Sequence, residues 1–326
     1  MEPPGFEGMI GQCPAMRELF ALIERIAPTD STVLLTGESG TGKEMVARAI
    51  HRHSRRRDCP LLACDCTALA PTLLESELFG HVKGSFSGAI ATKMGLFEAA
   101  DRGTLFLDEV ANLSMETQGK LLRVLETRRV RKVGDTAERE VDIRLIATSN
   151  RSLAELVNEG AFRADLYYRL NVVPVALPPL RDRPGDIHLL AGEFLRRFSE
   201  RMGVDLAGFS PEAIRQMELH TWPGNVRELR NIVERVAVLY GGSRIETSCL
   251  PWEVRDAKAP AGDDAPRTWD ELKNLKKKVG DDLERRFLTA ALERCGQNVT
   301  QAAESVGMQR TNFHALLRRH GLKPEK

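Results

Sequence analysis

Residues 33–50, VLLTGESGTGKEMVARAI, leave few folds open. An apolar run feeds straight into a loop with glycines at 37, 40 and 42, and the loop opens an amphipathic helix. With no Cβ at those positions, successive backbone N–H groups can wrap one set of phosphate oxygens at the positive end of a helix, and Lys43 is spaced to reach the terminal phosphates. This is the strand–loop–helix context that a Walker A loop requires. Gly37, Glu38, Ser39, Gly40, Thr41, Gly42 and Lys43, with Glu44 and Met45 behind them, are therefore candidate ATP contacts. One position departs from the pattern. The Ser or Thr that normally follows the lysine is Glu44, so a carboxylate stands there to hold Mg2+ directly or through water.

Four further apolar runs, PLLACD (60–65), TLFLDE (104–109), IRLIATSN (143–150) and VVPVAL (172–177), alternate with helical patterns such as METQGKLLRVLE (115–126). Continuous apolar strands between amphipathic helices predict a parallel sheet covered on both faces, an α/β domain over residues 8–177. Pro178, Pro179, Pro184 and Gly185 then break the pattern, and residues 178–252 predict a small helical subdomain. Residues 253–268, EVRDAKAPAGDDAPRT, are too polar to bury a core of their own and read as a linker; helical periodicity resumes over 269–326.

TLFLDE ends in two acids. In the Walker B role Asp108 holds the water shell of Mg2+, and Glu109 polarises a water for attack on the γ-phosphate. Alone the run is weak, because any strand can end in acids; behind a Walker A loop it becomes strong. Asn150 closes the next strand, beside Glu109 at the strand C-termini where open α/β sheets bind ligands. Without those neighbours it would read as a turn residue.

A formal net charge of +1 over 326 residues gives no global pull toward nucleic acid or membrane, so any basic surface must be local. No apolar run approaches the ~18 residues of a membrane span, and MEPPGFEGMI lacks the basic and apolar regions of a leader. The six cysteines contain no CxxC pair and read as buried free thiols of a cytoplasmic chain. The stretch GHVKGSFSGA (80–89) sets Gly84 and Gly88 around Phe86, a backbone that is costly to order and is expected to move. A core Phe in a plain hairpin would have the same composition.

GESGTGKE, SELFGHVKGSFSGA, GTLFLDE, FRADLYYRLNV, LPPLRDRPGDI and WPGNVREL follow one another over residues 8–250, and on these strings the chain resembles the bacterial enhancer-binding class of AAA+ ATPases, the activators of sigma-54 RNA polymerase. Glu44 itself fits the GKE variant of that class. The resemblance implies an AAA+ P-loop NTPase with a small helical lid, hydrolysing ATP with Mg2+. It implies that Gly84, Ser85, Phe86, Ser87, Gly88 and Ala89 form the loop that contacts sigma-54 and is raised or lowered by the nucleotide. Two positions differ there: Ser85 replaces Ala, and Ser87 replaces Thr.

Arg163 and Arg169 match the family's fingers, which reach the γ-phosphate bound by a neighbouring subunit and make activity depend on a ring, usually a hexamer. By spacing alone, an Arg pair on a helix reads as a solvated face. Arg227 matches the lid sensor, and Met9, Ile10 and Gly11 match the adenine-side segment. Asp65 stands where the family commonly has an Asn that hydrogen-bonds the catalytic Glu. An ionised Asp cannot donate to Glu109, and two close carboxylates repel, which sets this chain apart from the switch as usually described.

Residues 272–296 place Leu272, Leu275, Val279, Leu283, Phe287 and Ala291 on one helical stripe. Residues 298–321 then read as helix, Gly307 turn, helix, with Ala302, Ala303, Val306, Phe313, Leu316 and Leu317 as the core. The segment resembles a Fis-type helix-turn-helix, in which the first helix dimerises. Arg310, Thr311, Asn312 and His314 begin the recognition helix and are candidates for base edges, while Arg318 and Arg319 are candidates for phosphates. Residues 267–326 carry 13 Lys/Arg against 8 Asp/Glu, so the basic patch is local, as the bulk charge demands.

Together these features imply an ATP-driven ring, bound to double-stranded enhancer DNA through dimeric tails, that remodels the sigma-54 polymerase closed complex. Two other classes compete. A DNA-binding regulator working with another sigma factor would carry a vestigial ATPase, against which the intact catalytic set speaks. An AAA+ replication initiator or helicase loader should lack the SELFGHVKGSFSGA insertion. No sensory domain is visible before residue 8, so control is expected from a separate protein or from an N-terminal module that has been removed.

Overall fold

The structure, a computed structural model, describes residues 5–86, 88–203, 207–240, 244–256, 273, 284, 287–292, 295 and 298–319. The chain divides into two compact units, residues 1–260 and 261–326.

In the first unit a short ribbon, β1 (Gly5–Phe6) against β2 (Met9–Ile10), leads into α1 (Pro14–Ile26). Then come β3 (Val33–Thr36), α2 (Lys43–Arg52), β4 (Leu61–Asp65), α3 (Pro71–Phe79) and a second ribbon, β5 (Gly80–His81) with β6 (Lys93–Met94). Next in order are α4 (Leu96–Ala99), β7 (Thr104–Asp108), α5 (Met115–Thr127) and a third ribbon, β8 (Arg129–Arg131) with β9 (Glu138–Glu140). The α/β part closes with β10 (Arg144–Ser149), α6 (Leu153–Asn158), α7 (Ala164–Leu170) and β11 (Val173–Ala176).

The five apolar runs seen in the sequence form one parallel sheet in the order β11-β3-β10-β7-β4. This is the AAA+ P-loop arrangement. The central strands β3, β10 and β7 are buried almost throughout, whereas the edge strands β4 and β11 are partly exposed, as a sheet covered on both faces requires. Successive residues point to opposite faces. Leu35, Ile146 and Val175 meet Met16, Leu19 and Ile23 of α1 and Val46 and Ile50 of α2. Leu34, Leu107 and Ala147 meet Leu78, Phe97, Leu121 and Leu166 on the other side. Fully buried Arg144 donates to the Ile26 and Ala27 carbonyls at 2.9 and 2.5 Å, placing a cation at the negative end of α1. The three ribbons are too short to leave a periodic signature, and in the sequence reading only β5–β6 had a counterpart, the plain-hairpin alternative for residues 80–89.

The lid consists of α8 (Asp186–Met202), α9 (Pro211–Leu219), α10 (Asn225–Leu239) and α11 (Trp252–Arg255). They pack around Trp222, whose Nε1 donates to the Met217 carbonyl at 2.8 Å, and Ile10 belongs to the same cluster. Ile10 thereby ties the β1–β2 ribbon to the lid helices.

In the second unit, helices Val299–Ser305 and Arg310–Arg319 enclose Ala302, Ala303, Phe313 and Leu317 with Leu288, Ala291 and Leu292. Asn298 caps the first, accepting from the Thr300 and Gln301 N–H groups. Gly307, at φ 69°, makes the turn between them in a conformation that favours glycine. Of the predicted stripe, Ala291 is buried and Phe287 is 47% exposed, while Leu272, Leu275, Val279 and Leu283 lie outside the described residues. All six cysteines are free; Cys13, Cys64 and Cys66 are buried and the rest half-buried. Among the described residues no helix is long and apolar enough to cross a membrane.

Candidate nucleotide site

The loop between β3 and α2 depends on glycine at two positions. Gly40 has φ 79°, and a Cβ there would lie 2.3 Å from the Gly224 carbonyl; Gly42, at φ 103°, starts α2. Lys43 is buried, and its ammonium donates to the Gly37 carbonyl at 2.8 Å and pairs with Glu109 Oε1 at 3.0 Å. Thr41 Oγ1 donates to the Glu38 carbonyl at 2.8 Å, tightening the loop.

Glu109 follows β7 with φ 58° and ψ 54°, a left-handed backbone that costs a residue with a Cβ roughly 1–2 kcal/mol. Its neighbours hold it there. The Glu109 N–H donates to Thr148 Oγ1 at 2.9 Å, and Glu109 Oε2 accepts from the Asn150 N–H at 2.8 Å. Thr148 in turn donates to Asp108 Oδ1 at 2.5 Å. Lys43, Asp108, Glu109 and Asn150 are thus brought together at the C-terminal ends of β3, β7 and β10. Asn150 acts on Glu109 through its backbone.

Asp65 pairs in register with Asp108, but its carboxylate is exposed and turned to Thr67, accepting from that N–H at 2.8 Å and from its hydroxyl at 2.6 Å. Local partners therefore take up the carboxylate expected to confront Glu109.

Above the loop lies a cavity of about 540 Å3 lined by Ile10, Lys43, Asp108, Glu109, Phe194 and Arg227, among others. Its roof is tied to the phosphate loop. Arg227 donates to Ser39 Oγ at 2.8 Å, the Val226 N–H to the Gly40 carbonyl at 3.1 Å, and Arg181 makes two bonds to Glu38 at 2.6 and 3.0 Å. The Arg181 guanidinium, and then Asn225, hold the Glu38 carboxyl below the usual carboxylate range. Asn225 is fully buried at φ 52°; it accepts from the Leu180 N–H and donates to Glu38 Oε2 and the Ser39 carbonyl. Ile10 and Gly11 are held from below by a buried ion pair. Arg183 donates to the Ile10 carbonyl at 2.6 Å and to Asp186 at 3.0 Å, and Asp186 accepts from the Gln12 and Cys13 N–H groups.

Arg183, Asp186, Asn225 and Thr148 escaped the sequence reading. The first three lie inside strings that marked the resemblance, and that was their only signal.

The donor set at the cavity fits a hard divalent cation through the Asp108 carboxylate. Glu44 also lines the cavity, but its Oε1 accepts from Arg48 at 2.7 and 3.0 Å on the exposed side of α2. Met45 is 40% exposed at the cavity edge.

Arg163 and Arg169 are not brought to this cavity. Arg163 forms a two-point pair with Asp165 while its N–H donates to Gln118, and Arg169 donates to the Leu125 carbonyl at 3.0 Å. The 84–89 loop springs from the β5–β6 ribbon, with Gly84 at φ 82° and Gly88 at φ 105°. The Phe86 ring rests edge-on against buried His81 at 5.0 Å, and His81 Nδ1 is 2.7 Å from Ser76 Oγ. Phe86 is therefore half-buried on its own loop root, and Ser87 lies outside the described residues. Ile90, just past the loop, is 84% exposed and went unremarked in the sequence. In the second unit, Arg310, Thr311 and Asn312 are exposed at the start of their helix, His314 is half-buried, and Arg319 reaches Glu284 at 3.8 Å. The Arg318 side chain lies outside the description.

Three family models match successive parts of the chain. The model of the Sigma-54 interaction domain matches residues 9–176, that of the AAA+ ATPase lid domain residues 181–266, and that of the Fis family of bacterial regulatory proteins residues 281–320. The chain is 46% identical over 312 residues to the transcriptional regulatory protein ZraR of Escherichia coli K12, covering 96% of this chain and 68% of that one. It is 43% identical over 311 residues to the regulatory protein AtoC of the same organism, covering 95% and 67%. The crystal structure of NtrX from Brucella abortus in complex with ATP superposes with a TM-score of 0.74 at 36% identity, over 97% of this chain and 69% of that one.

Proposed function

The chain belongs to the sigma-54-dependent transcriptional activators, AAA+ ATPases with a Fis-type DNA-binding domain, and from that premise we propose how its residues divide the work. ATP binds between the phosphate loop and the lid, with Gly37 to Met45 around the phosphates, Ile10 and Gly11 on the adenine side and Arg227 as the lid sensor. Mg2+ held through Asp108, with Glu44 at the edge of its shell, would neutralise phosphate charge. Incoming phosphate draws Lys43 away from Glu109, and Glu109, kept in place by the Asn150 N–H, is then free to polarise the attacking water. Asp65 enters the cycle only when its bonds to Thr67 open.

Arg163 and Arg169, which do not line their own cavity, serve the site of a neighbouring copy in a ring. The loop of Gly84, Ser85, Phe86, Ser87, Gly88 and Ala89 leaves His81 to meet sigma-54, and Arg310, Thr311, Asn312, His314, Arg318 and Arg319 read enhancer DNA as a dimer. These partners place the working protein in the cytoplasm.

The observation that carries this reading is the 3.0 Å Lys43–Glu109 pair at the mouth of the phosphate loop, beside Asp108. Its test is steady-state hydrolysis with parallel nucleotide binding. Glu109→Gln should bind ATP without turnover, and Lys43→Ala should lose both. Full hydrolysis by the Gln variant would remove Glu109 from the role of base.

A further inference from the structure

We propose that Thr148 is a positioning residue for hydrolysis, whose single hydroxyl fixes Asp108 and Glu109 relative to one another. The inference rests on the reading of those two acids as the hydrolytic pair.

Strand register makes the contact. Ala147 of β10 lies opposite Leu107 of β7 in a parallel pair, so the next residues, Thr148 and Asp108, stand side by side. Thr148 is fully buried, and the residues before it, Leu145, Ile146 and Ala147, are apolar. A buried hydroxyl is costly at such a position unless it is bonded, and Val would fill the same space without that cost. Here the hydroxyl is used twice. It has one proton and two lone pairs; the proton goes to Asp108 Oδ1 at 2.5 Å, and a lone pair accepts the Glu109 N–H at 2.9 Å.

One oxygen atom therefore references both acids. The bond to Asp108 fixes the orientation of the carboxylate that serves the metal. The bond from Glu109 falls on the backbone of a left-handed residue, where it sets the direction in which the base leaves the strand. The Glu109 side chain then reaches Lys43 and the Asn150 N–H from that fixed origin. Removing the hydroxyl frees the Asp108 carboxylate to rotate and loosens the turn at Glu109, without touching any group that lines the cavity at the base or ribose end.

The test uses the full chain and four variants: Thr148→Val, Thr148→Ala, Thr148→Ser and Glu109→Gln. Turnover number and KM are measured beside equilibrium binding of a slowly hydrolysed ATP analogue and thermal melting. Thr148→Val should lower kcat by about 10–100-fold, the range typical of losing a partner that orients an active group. Analogue binding should stay within about threefold, since the lost interaction matters in the transition state. Thr148→Ser, which keeps the hydroxyl, should recover most of the rate. Should Val not fold, Thr148→Ala deletes the same hydroxyl with a smaller group. Wild-type kcat in a folded Val or Ala variant, with Glu109→Gln inactive, would overturn the inference, as would a Ser variant as slow as Val. Full turnover by Glu109→Gln would instead overturn the site reading beneath it.

Discussion

Asn225 offers the sharpest test of how the lid is joined to the phosphate loop. It is fully buried, and three bonds radiate from it: the Leu180 N–H to its Oδ1 at 2.8 Å, and its Nδ2 to Glu38 Oε2 at 3.0 Å and to the Ser39 carbonyl at 3.1 Å. Asn225→Ala strands the buried Leu180 N–H, which costs about 1–3 kcal/mol, and removes a bond to an ionised group that contributes at the lower end of about 1.5–3 kcal/mol because Glu38 is partly exposed. The backbone at φ 52° adds strain, since Asn tolerates the left-handed region better than Ala does. Together these effects destabilise the lid by about 3–5 kcal/mol, a large share of the roughly 5–15 kcal/mol that holds a typical domain. Asn225→Gly loses the same bonds without the strain and should be less damaging by about 1 kcal/mol. The assay is urea unfolding followed by fluorescence, with Trp222 reporting from inside the lid core, alongside ATP-analogue binding. A loss below about 1 kcal/mol in the Ala variant, with unchanged nucleotide affinity, would refute the account of Asn225 as the joint.

Ser85 Oγ is buried without a hydrogen-bond partner among the described residues, so Ser85→Ala should stabilise the packed loop by about 1 kcal/mol and slow amide exchange over 84–89; faster exchange would contradict this. His51 is buried against Thr104 at 3.0 Å, and its burial, followed by the charge of Arg144, holds the imidazole below its ordinary range. The unfolded chain takes up that proton below about pH 6.5 and the folded chain does not, so this contribution is present above that pH and lost as pH falls through it. Melting curves between pH 7.5 and 5.5 should show the decline, and His51→Gln should flatten it; an equal slope in the variant would assign the decline to other groups. In the DNA-binding unit, Arg318→Ala should weaken binding to all sequences and flatten the salt slope by about one, as loss of a phosphate contact requires. Arg310→Ala should narrow the gap between target and random DNA, and equal losses on both would pass base reading to Asn312 and His314.

The strands were legible because each is a continuous apolar run between helices, and β3, β7 and β10 are buried on both faces as that pattern demands. The phosphate loop was legible because its glycines, its lysine and its place after β3 all lie within one short segment. Thr148 was not. In sequence it is one β-branched residue in an apolar strand, and its meaning comes from register with Asp108, 40 residues away. Asn225 and Asp186 are separated from the segments they hold by 187 and 174 residues, a distance over which no local pattern reports. Asp65 shows the limit from the other side. Its place near Glu109 followed from the resemblance, but its register with Asp108 and the turn at Thr67 that captures its carboxylate did not, since the turn depends on a bond made two residues on.

In the proposed function, ATP hydrolysis by this chain drives sigma-54 polymerase from the closed to the open promoter complex. The direct measurement is promoter melting, read by permanganate reactivity of unpaired thymines, with purified sigma-54 holoenzyme, the full chain and either ATP or a non-hydrolysable analogue. Melting should appear with ATP, fail with the analogue, and fail with Phe86→Ala although that variant still hydrolyses ATP. Steady ATP consumption by the wild-type chain with no melting at a sigma-54 promoter, or melting that survives Phe86→Ala, would contradict it.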